Sequence, residues 1–297
     1  MKFEYFVDEE YAGRELKSIL KNKFEFSEKL IKKLKYNNKV LCNGNPVYIN
    51  STVKPGDVVE AIINFDEESE NIVPEKMNLR IIFEDDCLIA LDKQPGMVVH
   101  PTSSHLTGTI ANGLVYYFSE KGIRIKIRPV SRLDRDTSGI IIFAKNQFVQ
   151  EEFIKQMNTN TFKKEYIGVV NGVLTKKTGT IDLPIDRKPD SIMLRHISKS
   201  GFKSVTRFKV IEYLKNATYL SFYLETGRTH QIRVHCQAIG HPLFGDTLYS
   251  DIKTGFINRQ ALHSSKVEFI HPLTKQTIQL FSPIPSDIKT LLEILRK

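Results

Sequence analysis

Apolar residues recur at helical spacing over the first part of the chain. Leu16, Ile19 and Leu20 share one face of a helix predicted over residues 13–22. Leu30, Ile31 and Leu34 share one face of a second, from Glu28 to about Tyr36, with Ser27 placed to cap it. Lys29, Lys32, Lys33 and Lys35 fall on its outer side, and the late ones suit its negative C-terminal end. The period then shortens. Val40–Cys42 and residues 47–49 flank Asn43-Gly44, a hairpin turn pair, and Lys54-Pro-Gly-Asp57 turns the chain before a strand at residues 58–63. Asp66-Glu-Glu-Ser-Glu-Asn71, followed by Pro74, Glu75 and Lys76, is polar and without period, which predicts an interdomain linker over residues 65–77. From residue 78 short apolar runs alternate with helical patterns. Strands are predicted at residues 79–83, 87–91, 140–144 and 166–170, and a helix starts at Thr107-Gly-Thr109 and carries Ile110, Leu114 and Tyr117. The predicted division is a small domain over residues 1–64, the linker, and a body over residues 78–297.

Charge sharpens that division. Residues 11–54 hold ten basic side chains against three acidic ones, an excess of +7, where the whole chain of 297 residues carries +9. Such concentration favours a polyanionic partner, nucleic acid ahead of membrane. No apolar run reaches membrane-spanning length. The first ten residues turn acidic where a signal peptide would be apolar, and Cys42, Cys87 and Cys236 form neither a CxxC pair nor a disulfide framework. These features predict a cytoplasmic protein. The acidic turn Glu84-Asp-Asp86 beside Cys87 raises a metal site. With no histidine or second cysteine at ligand spacing, a turn between paired strands is the better reading.

Two polar segments carry candidate chemistry. Val130-Ser-Arg-Leu-Asp-Arg-Asp-Thr-Ser-Gly139 precedes an apolar run, so it is a polar loop held by the start of a rigid strand. Of its two carboxylates, Asp136 reads as a turn residue, with Asp and Ser of Asp-Thr-Ser-Gly bonding the backbone. That leaves Asp134, whose flanking arginines favour the charged form. The second segment, Leu224-Glu-Thr-Gly-Arg-Thr-His-Gln-Ile-Arg-Val-His235, places Arg228, His230, Arg233 and His235 within eight residues, a spacing that fits neither HExxH nor paired CxxC. On these residues alone, His235 is a hydrogen-bonded structural histidine, Arg228 is a phosphate or structural contact, and Tyr166 is a core tyrosine.

Together the motifs resemble known families. Gly13-Arg-Glu-Leu, Ser27-x-x-x-Ile31-Lys, Lys39-Val-x-x-Asn43-Gly44 and Val53-Lys-x-Gly56-Asp57 are similar to the S4 RNA-binding domain, over about residues 11–63. Arg132-Leu-Asp134 with Asp136-Thr-Ser-Gly139, Lys164-Glu-Tyr166 with Gly172, Gly227-Arg-Thr-His-Gln-Ile-Arg233, His241-Pro with Gly245-Asp246, and Leu262-His263 resemble the RluA-type pseudouridine synthases in order and spacing, over about residues 79–285. An S4 domain ahead of such a body is similar to members that modify large-subunit ribosomal RNA. The resemblance implies an α+β fold: a small S4-like domain of helices and short strands, then a catalytic body on a mixed, mainly antiparallel sheet. It also implies that Asp134 is the essential aspartate, that Tyr166 packs on the target uracil, that Arg233 pairs with the aspartate, and that Arg132 fills the space left by a flipped nucleotide. Arg228 and His230, with Lys29, Lys32, Lys33 and Lys35, are then RNA contacts. Two departures stand out: Ser131 where the family usually has His, and Gln94 where Pro commonly follows the lysine. Neither removes a group that the chemistry needs; Ser131 bears on how the loop is held or meets RNA.

The implied reaction isomerises a uridine within RNA. The N1–C1′ bond breaks, the uracil turns, and C5 bonds to C1′. No electrons and no group donor enter, so no cofactor and no metal are expected. The base must be extruded from stacked RNA into a pocket. Asp134 attacks C1′ as a nucleophile or removes a proton from C2′, and both alternatives stand open. Tyr166 offers a stacking ring and a hydroxyl that could help remove the C5 proton. The expected partner is RNA, ribosomal ahead of transfer RNA, with no membrane and no small-molecule cofactor. An RNA-binding or chaperone protein on the same scaffold has no need of a carboxylate in an RNA groove. A nuclease or glycosidase does not account for the S4 segment and the motif set together.

Overall fold

The computed structural model describes the chain from Met1 to Lys297 except Phe65, Asp66, Glu68, Glu70, Lys253 and Thr254. Four positions of the predicted linker therefore lie outside the described residues. The chain opens with β1 (Lys2–Phe6), α1 (Leu16–Asn22), α2 (Glu28–Tyr36), β2 (Val40–Cys42), β3 (Asn45–Pro46) and β4 (Val58–Ile62). The four strands pair in the order β1-β4-β2-β3. Leu16, Ile19, Leu20, Leu30, Ile31 and Leu34 are all buried, in one core with Val40, Val53, Val59 and Ala61. Ser27 caps α2 by accepting the Leu30 N–H at 3.1 Å. Asn43 and Gly44 both take positive φ, 50° and 77°, as the tight turn requires. Two expectations change. The opening residues, noticed only for their acidity, form β1 against β4, and the second hairpin strand is confined to Asn45–Pro46 instead of residues 47–49.

The body continues with β5 (Ile81–Glu84), β6 (Leu88–Lys93), α3 (Ile110–Glu120), β7 (Arg128–Pro129), β8 (Ser138–Ala144), α4 (Gln147–Asn158), β9 (Lys163–Asn171), β10 (Thr178–Asp182), β11 (Ile185–Arg187), β12 (Arg195–Ile197), β13 (Val205–Leu214), β14 (Ala217–Leu224), α5 (Gln231–Ala238), β15 (Leu262–Ile270), β16 (Thr277–Phe281) and α6 (Ser286–Arg296). The main sheet runs β10-β13-β14-β9-β15-β8-β6-β5, with β16 on β15 and β7 on β8. Only the β15–β8 pair is parallel among the described strands of this sheet, so it is mixed and mainly antiparallel, as expected. β8 is buried along its whole length, which is why its sequence is a continuous apolar run without alternation. Gly139 opens this strand at φ +108°, and a Cβ there would sit 2.2 Å from the Ser264 carbonyl oxygen. Glycine alone lets β8 lie this close to β15, and that contact anchors the loop that carries Asp134. β11 and β12 form a separate hairpin, held to α5 by a small core of Ile185, Val234 and Tyr249 with Leu194 and Ile197.

The N-terminal part packs on the body through aromatic rings. Phe148 of α4 meets Phe3 at 4.9 Å and Phe26 at 5.6 Å between centroids, both edge-on. Ser27 Oγ donates to Glu151 at 2.8 Å. Lys33 pairs with Glu67, which also binds Arg128 of the body. This corrects the outward placement predicted for Lys33: its ammonium is held at the join by a carboxylate that lies far off in sequence. Lys29, Lys32 and Lys35 are exposed. The polar stretch read as an interdomain linker is hydrogen-bonded to the body where it is described. Ser69 Oγ accepts the Ile127 N–H at 2.9 Å, Glu75 accepts the Gly108 N–H at 2.6 Å, and Asn112 donates to the Val73 carbonyl at 2.8 Å. Among the described residues, no helix is long and apolar enough to cross a membrane.

Candidate active site

The loop before β8 and the start of α5 face each other across a cleft of about 590 Å³. The loop is braced from within. The Thr137 N–H donates to the Asp134 carbonyl at 3.1 Å, and buried Lys93 donates from below to the carbonyls of Arg135 at 2.6 Å and Gln94 at 3.0 Å. Lys93 is buried, and burial pulls its ammonium down to about 7. The Asp136 carboxylate pairs with Arg135 at 3.0 Å instead of bonding the backbone, as the turn reading had it, because the neighbouring guanidinium folds over it. Its carbonyl accepts from Arg259 at 3.1 Å, and Ser138 Oγ meets His263 Nδ1 at 3.0 Å.

Asp134 points at α5. There Arg233 Nη1 donates to Asp134 Oδ2 at 3.2 Å. The same guanidinium grips Asp246 with two bonds, Nε to Oδ2 at 2.8 Å and Nη2 to Oδ1 at 2.7 Å. The Asp246 side chain is fully buried, and its Oδ1 also accepts the N–H groups of Leu248 and Tyr249. Burial works against the Arg233 cation, but the two carboxylates outweigh it and raise its pKa. Gly245, at φ +68°, turns the chain where a Cβ would sit 2.2 Å from the Arg259 carbonyl oxygen, and this delivers Asp246 beneath the arginine.

His230 caps α5 in the left-handed region at φ 58°. A non-glycine residue held there costs roughly 1–3 kcal/mol and is characteristic of a site under constraint. Its Nε2 lies 3.9 Å from Asp134 Oδ1 and its Nδ1 lies 2.8 Å from the Tyr249 hydroxyl. Burial lowers its pKa, against the pull of Asp134. Across the cleft, Lys164 and Tyr166 project from one face of β9, two residues apart. Burial, with the Asp134 charge second, pushes the Tyr166 hydroxyl well above its ordinary range, so it is neutral. Burial pulls the Lys164 ammonium down to about 8. Arg132 and Arg228 are exposed at the rim, and Arg228 lies 5.2 Å over the Phe202 ring. Among the described residues, Arg132, Arg228 and Lys164 have no carboxylate partner.

The fold thus gathers Asp134, Tyr166, Arg233, Arg132, Arg228 and His230 into one cleft. Lys29, Lys32 and Lys35 stand apart on α2. His235 bonds Thr206 at 2.8 Å and the Leu183 carbonyl at 2.9 Å, the structural histidine its sequence suggested. Asp246, Lys164, Tyr249 and Lys93 were given no role from sequence. The first two lie inside motifs already quoted, Gly-Asp and Lys-Glu-Tyr, whereas nothing local singles out Tyr249. The Asp85–Cys87 turn gains a histidine from far along the chain: His271 Nε2 reaches Asp85 Oδ2 at 2.8 Å. Its Nδ1 accepts the N–H groups of Leu273 and Thr274, so Nε2 carries the proton and donates to Asp85. Asp85 Oδ1 accepts from Cys87 and Leu88, and burial pushes the Cys87 thiol up to about 12. With these groups committed to one another, the cluster locks two turns together.

Comparison with known proteins identifies the family and the fold. The profile of the family described as "RNA pseudouridylate synthase" matches residues 87–238, and that of the "RluD ribosomal pseudouridine synthase N-terminal domain" matches residues 3–59, taking in β1. A Bacillus subtilis protein named "Uncharacterized RNA pseudouridine synthase YjbO" is 39% identical over 287 residues, 96% of this chain and 97% of its own. The "Ribosomal large subunit pseudouridine synthase D" of Buchnera aphidicola is 33% identical over 97% of this chain and 96% of its own. The solved structure titled "Human RNA Pseudouridylate Synthase Domain Containing 4" shares the fold, with a TM-score of 0.60 at 21% identity over 73% of this chain and 93% of that one. Matched by the synthase profile across residues 87–238 and by relatives along almost all its length, this chain belongs to the RluA-type RNA pseudouridine synthases.

Proposed function

We propose that the chain isomerises specific uridines in large-subunit ribosomal RNA, in the cytoplasm, with residues 1–64 as an RNA-binding domain, residues 65–77 as the connection and residues 78–297 as the catalytic domain. One observation carries the reading of the site: the row Asp134–Arg233–Asp246, a carboxylate at the base of a cation-rimmed cleft, aimed by a buried guanidinium that a second carboxylate fixes from behind. Breaking the N1–C1′ bond builds positive charge on the sugar, and Asp134 answers it, by attack on C1′ or by removing the C2′ proton. Arg233 orients Asp134 for either use. The Tyr166 ring offers a face to the extruded uracil, and its hydroxyl helps to remove the C5 proton. Arg132, at the mouth, takes the space that the flipped nucleotide leaves. Arg228 meets the RNA at the same rim and His230 meets it deeper in the cleft, while Lys29, Lys32 and Lys35 attract phosphates at a distance.

The isomerisation moves no electrons and takes no donor group, so the residues of the cleft suffice. The names of relatives such as the Buchnera aphidicola protein support ribosomal RNA as the substrate. The test is to map pseudouridine in ribosomal and transfer RNA from cells with and without the protein. Sites lost from large-subunit RNA are expected. Loss from transfer RNA alone overturns the substrate, and no loss overturns the proposal.

A further inference from the structure

His230 sits between the reacting carboxylate and a tyrosine to which the chemistry so far assigns no part. The Tyr249 hydroxyl has two neighbours. It accepts the backbone N–H of Arg195, in β12, at 2.9 Å, and it lies 2.8 Å from His230 Nδ1. The Arg195 N–H can only donate, so the single phenolic proton has Nδ1 as its acceptor. In the neutral ring, Nε2 then carries the hydrogen, and its nearest carboxylate oxygen in the site is Asp134 Oδ1, 3.9 Å away. The opposite tautomer is disfavoured at both ends. It leaves the Tyr249 proton without a partner and turns a nitrogen lone pair toward a carboxylate oxygen. The charged groups that face the ring are Asp134, Arg233, Arg195 and Asp246. Burial and the two arginines lower its pKa against the two carboxylates, which keeps the neutral form in play. Asp134 is thereby bracketed: Arg233 donates to Oδ2 at 3.2 Å, and a neutral N–H faces Oδ1.

We propose that Tyr249 is a positioning residue for the isomerisation: it fixes the Nε2–H tautomer of His230, whose N–H steadies the free oxygen of Asp134. This rests on the reading of Asp134 as the reacting carboxylate. The proposal requires the 3.9 Å gap to close to hydrogen-bond distance when substrate fills the cleft, as catalytic hydrogen bonds commonly do. The tautomer of a functional histidine is set by whatever its other nitrogen bonds.

Tyr249→Phe removes only the hydroxyl. The ring still packs with Ile185 and Val234 and still lies 5.1 Å beneath the Arg233 guanidinium. Three measurements test the proposal. In nitrogen-15 spectra of histidine-labelled protein, with His230 assigned by its loss in His230→Gln, the wild-type ring carries its proton on Nε2, and Tyr249→Phe admits the Nδ1–H form. The single-turnover rate of Tyr249→Phe on a target RNA hairpin falls about tenfold, the weight of one orienting hydrogen bond, with RNA affinity unchanged. In the His230→Gln background, where no tautomer exists to be set, adding Tyr249→Phe costs nothing further. A wild-type ring protonated on Nδ1, a Tyr249→Phe rate equal to wild type, or an undiminished loss in the His230→Gln background each overturns the proposal. Asp134→Asn, run alongside, separates the two readings. If it stays active, the assignment of Asp134 falls; if it is dead while Tyr249→Phe is at full rate, only the role of Tyr249 falls.

Discussion

Asp246→Asn tests whether the buried arginine depends on its counter-charge. Oδ1 of Asp246 accepts three donors, Arg233 Nη2 and the N–H groups of Leu248 and Tyr249, so it must stay an oxygen. The amide nitrogen therefore takes the place of Oδ2 and confronts Arg233 Nε at the 2.8 Å where a hydrogen bond stood. The variant loses a buried charge and gains a donor–donor clash, while Arg233 stays buried with only Asp134 as counterion. Breaking a buried pair on one side costs roughly 3–5 kcal/mol. At about 2–4 °C per kcal/mol for a body of this size, the melting temperature falls by about 6–20 °C. Thermal melting by circular dichroism checks this, with Glu212→Gln as the control. That pair with Arg296 is exposed on both sides, so melting there should hardly move. Single-turnover kinetics on the folded fraction should also slow, since Arg233 no longer has a fixed direction. An Asp246→Asn protein that melts with wild type would show that the buried charge pair is not what holds this corner.

Tyr166→Phe separates the ring from the hydroxyl. If the hydroxyl helps remove the C5 proton, a substrate tritiated at C5 releases label more slowly than the glycosidic bond breaks; wild-type release kinetics exclude that role. Tyr166→Ala should be slower still, because base–aromatic stacking is worth roughly 1–3 kcal/mol. Replacing Lys29, Lys32 and Lys35 together by Gln should flatten the log–log salt dependence of RNA binding by a little under one unit for each phosphate no longer neutralised, about three at most; an unchanged slope removes α2 from the interface. Glu84 bonds Lys145, Lys121 and Tyr117; burial opposes its charge, but these partners outweigh it and draw its pKa from 4.5 to about 2. A depressed carboxylate stabilises the fold above its unfolded pKa and stops doing so as pH falls through the folded one. The urea midpoint should therefore drop more steeply below pH 4.5 for wild type than for Glu84→Gln, and parallel curves would count against the network.

Local signals carried most of the fold and of the reactive groups. The 3.6-residue period of Leu30, Ile31 and Leu34, the Ser27 cap and the Asn43-Gly44 turn are each decided within a few residues, and the structure matches them. β1 escaped notice because five residues, two of them charged, form an edge strand only when β4 is there to pair with them. The misplaced Lys33 has the same cause: helical spacing puts it outside, and Glu67, beyond the reach of any local pattern, turns it inward. The site divides likewise. Asp134, Tyr166 and Arg233 sit in motifs dense enough to compare with a family. Tyr249 and Lys93 matter through one atom each, the first bonding a backbone N–H 54 residues away and the second a carbonyl 42 residues away. Spacing also hid the Asp85–His271 contact, which joins residues 186 apart.

The central claim is that Asp134 does the covalent or proton chemistry at the sugar, with Tyr166 serving the base and the other cleft residues binding or orienting. Single-turnover conversion of a uridine hairpin by Asp134→Asn, with RNA affinity measured in parallel, tests it most directly. Loss of a directly reacting group costs of order 10⁴ in rate or more, since what is left only holds the substrate. The prediction is a dead enzyme that binds RNA as tightly as wild type; a variant that keeps even a tenth of the wild-type rate would contradict it.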